Sequence, residues 1–146
     1  MRFEGTVDIA APRDTVWAFL IDPNQVGSCG PGVESIEVID EGHFKAKAKV
    51  GIGFISARFA VDMEFAELEP PNRARIKAHG QAPGSAVDAT AQMTLSDGAA
   101  GTTRMDWWAD VEIAGTLASV GARFIEGTAN KMIGQTFSCI KKKLEA

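Results

Sequence analysis

Alternation of apolar and polar residues in six consecutive segments constrains the fold of this chain more than any other feature. The segments are residues 33–40, 43–53, 54–69, 73–80, 85–97 and 102–115. Because side chains of a β-strand point alternately to its two faces, each segment has one apolar and one polar face. The short connections between the segments predict a meander of antiparallel strands. Such a sheet needs a second layer over its apolar face.

A single long helix is available as this second layer. From about Ser119 to Leu144, apolar side chains recur at helical spacing and share one broad side. These side chains are Ile125, Ala129, Met132, Ile133, Thr136, Phe137, Ile140 and Leu144. The helix is therefore expected to close one side of a curved sheet.

Two short helices are expected between the first strand, residues 2–9, and the meander. Pro12 opens the first of them, because the N–H that proline lacks has no partner at a helix start. Asp22 before Pro23 predicts the cap of a second, very short helix. This order predicts an α+β helix-grip fold, in which a curved antiparallel sheet of seven strands wraps around the C-terminal helix. We expect residues 1–146 to form a single domain of this kind.

Composition and charge exclude several classes of partner and site. The net charge of −4 gives no reason to expect nucleic acid, and no apolar run approaches the ~20 residues that span a bilayer. Cys29 and Cys139 match no metal or redox spacing, and we interpret them as two unpaired buried thiols, which is typical of a cytoplasmic protein. His43 and His79 are isolated, so neither a metal site nor a cofactor is predicted.

The sequence offers little for catalysis. Nucleophilic hydrolysis needs a Ser or Cys beside a His, and the two histidines stand near strand ends. The chain contains no Tyr, and the inward strand positions hold no pair of carboxylates for acid–base work. We therefore predict a protein that is not an enzyme.

Several stretches carry a family resemblance: PRDTVWAFLIDP, GPGVESIE, VGIGFISARF, ELEPPNRARIKAHGQAPG and VEIAGTLASVGARFIEGTANKMI. In them the sequence resembles the START-like helix-grip superfamily (polyketide cyclase/SRPBCC) and, more closely, the family of the carbon monoxide dehydrogenase G subunit. The resemblance implies an accessory protein of molybdenum-containing CO dehydrogenases, with roles proposed in membrane recruitment and quinone chemistry. Many members carry a C-terminal extension that reaches the membrane, whereas this chain ends after the long helix. We expect a cytoplasmic protein without an anchor, and peripheral contact with the inner face of the membrane stays open.

A cavity between sheet and helix is expected to bind a ligand. Many inward strand positions hold alanine, which fills little volume, and methionine adapts to irregular ligands. The predicted ligand-binding residues are Trp17, Leu20, Phe44, Phe59, Met63, Met93, Met105, Trp107, Leu117, Phe124, Thr128, Met132 and Thr136. The alternative is that these side chains fill a solid core and that the threonine hydroxyls bond back to their own helix.

The mouth of this cavity is predicted at three segments rich in glycine and small residues, which are residues 24–32, 80–84 and 115–121. Apolar side chains in these segments would close over a ligand, and the candidates are Val26, Leu117 and Val120.

Two surface features have alternative interpretations. Trp108 points to the face opposite Trp107, where it would contact a partner or cover the stems of neighbouring side chains. The lysines of residues 140–144 suit either the dipole at the end of the helix or an anionic membrane surface.

The function predicted from these features is that of a non-enzymatic accessory or carrier protein for a hydrophobic small molecule, such as a quinone or a lipid. The expected partner is a CO dehydrogenase or another molybdenum hydroxylase. Two alternatives stay open, namely an enzyme of the polyketide cyclase or hydrolase kind and an assembly factor with a filled core.

Overall fold

A curved antiparallel sheet and one long helix form the framework of the molecule. The computed structural model describes residues 1–52 and 55–145. In these residues the strands are β1 (Arg2–Ile9), β2 (Val33–Val38), β3 (His43–Ile52), β4 (Ile55–Glu69), β5 (Arg73–Ala82), β6 (Ser85–Asp97) and β7 (Thr103–Gly115). The helices are α1 (Arg13–Leu20), α2 (Pro23–Gly27) and α3 (Ala122–Leu144), with 3₁₀ turns at Ala99–Gly101 and Thr116–Val120.

The strand order is β1-β7-β6-β5-β4-β3-β2, so the first and last strands are neighbours and every other pair is consecutive in sequence. The predicted helix-grip fold is confirmed, including the two short helices after β1. The predicted boundary between the third and fourth strands, at Gly53 and Phe54, lies outside the described residues. The predicted start of the long helix was too early, because Thr116–Val120 forms a 3₁₀ turn before α3 begins at Ala122.

Local sequence explains how the chain enters α2 and α3. The Asp22 carboxylate accepts hydrogen bonds from the backbone N–H groups of Asn24 at 3.0 Å and Gln25 at 3.4 Å, which caps α2 as the sequence predicts. A hydrogen bond from the Gln25 side chain, together with these backbone bonds, lowers the pKa of Asp22. Gly121 precedes α3 with a φ of 97°, a backbone conformation that favours glycine.

The core divides into two clusters of buried apolar side chains. The larger one, here the α1 cluster, comprises Ile9, Ala11, Val16, Trp17, Phe19, Leu20, Cys29, Ala74, Leu95, Met105 and Ile140. The smaller one, here the Leu117 cluster, comprises Ile52, Phe59, Leu117 and Ile125. Helix α3 is therefore buried near its two ends, at Ile125 and Ile140. Its middle, on residues 128–137, is at most half-buried, which leaves space between helix and sheet.

A disulfide joins Cys29 to Cys139, across a sequence separation of 110 residues. The prediction of two unpaired thiols is therefore wrong. The curled sheet brings the loop after α2 against the C-terminal half of α3, and the two Cα atoms lie 5.4 Å apart, within the usual range for a bridge. Spacing in sequence carries no information on such a long-range approach. The correction also removes the observation on which a cytoplasmic location was based.

Among the described residues, no helix has both the length and the apolar character that a membrane span needs.

Candidate ligand-binding cavity

An apolar cavity of about 370 Å³ lies between the concave face of the sheet, α2 and α3. Strands β2 to β7 all contribute to its wall, and α3 contributes Phe137. The larger side chains of the wall are Leu20, Pro23, Val26, Val33, Ile36, Phe44, Met63, Phe65, Ile76, Met93, Met105, Trp107 and Phe137. None of the described residues that line it carries a titratable side chain.

Aromatic pairs frame the cavity on two sides. The rings of Phe44 and Phe65 lie 5.8 Å apart between β3 and β4, tilted by 46°. Trp107 of β7 meets Phe137 of α3 at 5.3 Å, which is the aromatic contact between sheet and helix at the wall. Pairs at such distances add to the stabilisation from burial alone. The framing side chains are therefore held in place without filling the space between them.

Small residues keep the cavity open. Ala46, Ala74 and Ala91 stand on the inward faces of β3, β5 and β6 and line the space. At Gly27, by contrast, α2 packs directly on β2, because a methyl group there would overlap the side chain of Ile36. The volume therefore results from residue size at inward positions.

The indole N–H of Trp107 is the single buried side-chain nitrogen or oxygen of the described residues that has no hydrogen-bond partner. The indole lies over Gly5 of β1, where an added Cβ would come within 3.2 Å of Nε1. An unpaired buried donor costs about 1–3 kcal/mol. Gln92, which also borders the cavity, is engaged, because its side-chain oxygen accepts a hydrogen bond of 2.8 Å from Arg75.

The structure brings part of the predicted site together. The predicted residues that line the cavity are Leu20, Phe44, Met63, Met93, Met105 and Trp107. Trp17 belongs to the α1 cluster, and Phe59 belongs to the Leu117 cluster. Thr128 and Met132 are half-buried on α3 and do not line the cavity.

Two further predicted residues of α3 do not line the cavity. Phe124 is 60% exposed, because it precedes the buried Ile125 by one residue and one residue turns a helix by about 100°. The hydroxyl of Thr136 donates to the carbonyl oxygen of Met132 at 2.8 Å, the back-bonding that was the alternative for a threonine here.

The predicted mouth is corrected at its α3 end. Leu117 is 3% exposed and packs with Ile52, Phe59 and Ile125, so this end of the molecule is closed by core packing. Val120 packs against the same cluster. Of the side chains proposed for the mouth, Val26 is the one that borders the cavity.

Several residues of the cavity wall were not predicted as ligand-binding residues, although the sequence pattern indicated some of them. Phe65 and Ile76 share the inward parity of Met63 and Ala74, so alternation alone would have found them. Val33 and Ile36 were hidden, because residues three apart on a regular strand face opposite ways. An irregularity in the pairing of β2 with β3, between Val33 and Ser35, puts both on the cavity side.

Both histidines lie on the outer face of the sheet. His43 Nδ1 is 2.9 Å from an Asp40 carboxylate oxygen, and this hydrogen bond raises the pKa of His43. His79 Nδ1 is 2.5 Å from Asp88. Neither histidine reaches the cavity wall.

The outer face also holds the half-buried Trp108. The guanidinium of Arg2 lies 4.4 Å from the ring centre of Trp108, and that of Arg75 lies 5.6 Å from it. Trp108 therefore contacts arginine side chains of β1 and β5, and its contact with a partner stays a prediction.

Solved structures with the same architecture are numerous. A conserved protein from Geobacillus kaustophilus superposes with a TM-score of 0.92 at 24% identity, over 99% of this chain and 95% of that one. The ZhuI aromatase/cyclase from Streptomyces sp. R1128 gives 0.74 at 18% identity, over 99% and 93%. A START superfamily protein from Mycobacterium smegmatis gives 0.69 at 13% identity, over 99% and 97%. At these identities the similarity shows the fold alone.

Sequence comparison identifies the family. No curated protein sequence matches the chain significantly. A sequence model of CoxG, the G subunit of carbon monoxide dehydrogenase, matches residues 5–145. That match spans nearly the whole chain and agrees with the START-like fold, so the chain belongs to the CoxG family.

Proposed function

We propose that this protein is a non-enzymatic accessory or carrier protein that binds a hydrophobic small molecule in the cavity between the sheet and α3. The observation that carries the proposal is the lining, which is apolar and without titratable side chains in the described residues. Apolar ligands bind in cavities of this kind, with few polar groups to orient them.

The volume limits the part of the ligand that fits inside. About 370 Å³ corresponds to roughly a dozen groups the size of a water molecule, at ~30 Å³ each. One fused ring pair or a chain of about a dozen carbons has this size. A quinone head group and a fatty acyl chain are therefore both candidates, and a longer ligand would extend beyond the cavity.

An enzyme of the cyclase kind is the second candidate, and the structural similarity to an aromatase/cyclase favours it. Proton transfer requires an acid or base within hydrogen-bond reach of the substrate. The described wall offers the N–H of Trp107 and no side chain that exchanges a proton near neutral pH. The lining therefore supports binding over catalysis.

Membership of the family supports a CO dehydrogenase or a related molybdenum hydroxylase as the partner. A location at the cytoplasmic face of the membrane is part of the same proposal. In the cytoplasm thiols are kept reduced. The Cys29–Cys139 bridge would form there only under oxidising conditions. Genes for such a hydroxylase next to the gene for this chain would strengthen the partner assignment, and a neighbourhood without them would weaken it.

Native mass spectrometry tests the binding function. Delipidated protein is mixed with menadione, a two-ring quinone, or with dodecanoic acid. We expect a complex of one ligand per chain with at least one of them. The bisulfite adduct of menadione is the matched control, because its sulfonate charge is costly to bury in an apolar cavity. Folded protein that binds neither apolar compound, or that binds the adduct equally well, would contradict the proposal.

A further inference from the structure

The Cys29–Cys139 disulfide ties one wall of the cavity to α3. Cys29 lies in the segment of residues 23–33, here called the α2 wall, and Cys139 lies on α3. On both sides of Cys29 the α2 wall borders the cavity, through Val26 and Gly27 before it and Gly30 after it. The bridge is thus a covalent link between the cover of the cavity and the helix beside it.

Other contacts that hold the α2 wall to α3 are weak. Helix α2 contains no fully buried residue, whereas Cys29 itself is 5% exposed. Within the described residues, the hydrogen bond from Lys143 Nζ to Ser28 Oγ, at 2.5 Å, is the one polar contact between these two segments. It is exposed to solvent, and exposed polar contacts of long side chains contribute little.

We propose that the redox state of this disulfide controls ligand exchange. The oxidised pair holds the α2 wall closed over the ligand, and reduction releases the wall so that the ligand exchanges. The inference rests on the proposed binding function. In the cytoplasmic location that belongs to the proposed function, a disulfide is typically transient, with a redox-sensing or catalytic role.

The surroundings of Cys139 suit thiol–disulfide exchange. Cys139 is half-buried and borders a surface depression that Lys131, Lys142 and Lys143 also line. Positive charge there attracts an incoming thiolate and stabilises a cysteine thiolate. Cys29 is buried by contrast, so Cys139 is the more exposed cysteine of the bridge.

A dithiol can serve as the reductant in this thiol–disulfide exchange. One of its thiolates attacks Cys139 Sγ, forms a mixed disulfide and expels Cys29 as a thiolate. The second thiol of the reductant then attacks the mixed disulfide and expels the Cys139 thiolate. The reductant leaves as a cyclic disulfide, two electrons pass to the protein, and both cysteine thiolates take up a proton. An oxidant that accepts two electrons reverses the reaction.

The test measures release of N-phenyl-1-naphthylamine, a fluorescent apolar probe, by stopped flow. The oxidised protein, the protein reduced with dithiothreitol and the Cys29→Ala/Cys139→Ala double variant are compared, and circular dichroism melting confirms that each is folded. We expect reduction to raise the dissociation rate of the probe about tenfold or more, since differences in affinity arise mostly in dissociation. The double variant should release the probe at the fast rate with or without dithiothreitol.

Each other outcome overturns a defined part of the account. Equal dissociation rates in the oxidised and reduced wild-type protein refute the redox control and leave the binding function intact. Two thiols that stay free after mild oxidation, by thiol titration, refute the pairing itself. Probe binding to none of the forms refutes the binding function, and the redox control with it. The comparison of the two wild-type states remains decisive if the double variant does not fold.

Discussion

Filling the cavity with a larger side chain should weaken ligand binding while it stabilises the fold. Ala91 is suited to this, because it lies on the inward face of β6, between Ile76 of β5 and Ala109 of β7, and lines the cavity. Leucine at this position adds three carbon atoms that project into the open space. The Ala91→Leu variant therefore competes with the ligand for the same volume.

The expected loss of ligand affinity follows from the cavity volume. Three added groups at ~30 Å³ each occupy roughly 90 Å³, about a quarter of the 370 Å³ available. A ligand that must withdraw about three methylene-sized groups loses ~0.8 kcal/mol for each, or ~2.4 kcal/mol in total. This corresponds to an increase in Kd of roughly 50-fold. Cavity filling should at the same time raise the free energy of unfolding by ~0.5–2 kcal/mol.

Two measurements check this pair of opposite effects. Fluorescence titration with N-phenyl-1-naphthylamine gives the Kd, and urea denaturation gives the free energy of unfolding. The matched control is Ala60→Leu, which adds the same atoms to the exposed outer face of β4. We expect the control to leave the Kd unchanged and the free energy of unfolding within ~0.5 kcal/mol of wild type.

If the core had no free space, Ala91→Leu would destabilise the fold. Overpacking would then lower the free energy of unfolding by about 1–3 kcal/mol. A destabilised Ala91→Leu variant with an unchanged Kd would refute the cavity and favour an assembly factor with a filled core.

Three further predictions concern single side chains. Trp107→Phe removes an unpaired N–H that costs about 1–3 kcal/mol, so urea denaturation should show only a small net loss of stability. A loss above ~3 kcal/mol would mean that the N–H has a partner. NMR titration should give His43 a pKa above its ordinary value, and Asp40→Asn should lower it. Because the pKa of His43 is raised in the folded state, the stabilisation from its bond to Asp40 is complete below the ordinary pKa of histidine. It is lost as pH rises through the raised pKa. The Tm difference between wild type and Asp40→Asn should therefore shrink over that pH range. Phe124→Ser, at a side chain 60% exposed, should change the free energy of unfolding by less than ~0.5 kcal/mol, whereas Ile140→Ala, at 2% exposed, should cost ~2–5 kcal/mol. Equal losses would mean that Phe124 is covered.

Local patterns were sufficient to predict most of the fold. Alternation located the strands, because each has one face against the core and one in solvent, as Met105 at 2% exposed beside the exposed Arg104 illustrates. The cap at Asp22 was predictable because it depends on residues within one helical turn. The inward parity of Met63, Phe65 and Met93 likewise follows from their own strands.

Long-range geometry was beyond the reach of these patterns. The approach of Cys29 to Cys139 depends on the curl of the whole sheet, and so does the packing of Leu117 into the core away from the cavity. The irregular pairing of β2 changes which side chains face inward, and no residue type in that strand indicates it. Phe124 was misplaced by one residue along α3, which is enough to turn a side chain from the sheet to solvent.

Methyl NMR of the methionines tests the central claim most directly. The chain contains five methionines, of which Met63, Met93 and Met105 line the cavity, whereas Met1 and Met132 do not. With ¹³C-methyl-labelled protein at saturating menadione or dodecanoic acid, we expect the signals of Met63, Met93 and Met105 to shift and those of Met1 and Met132 to stay in place. Saturation that moves only Met1 or Met132, or that leaves all the methyl signals unchanged, would contradict binding in the cavity between the sheet and α3.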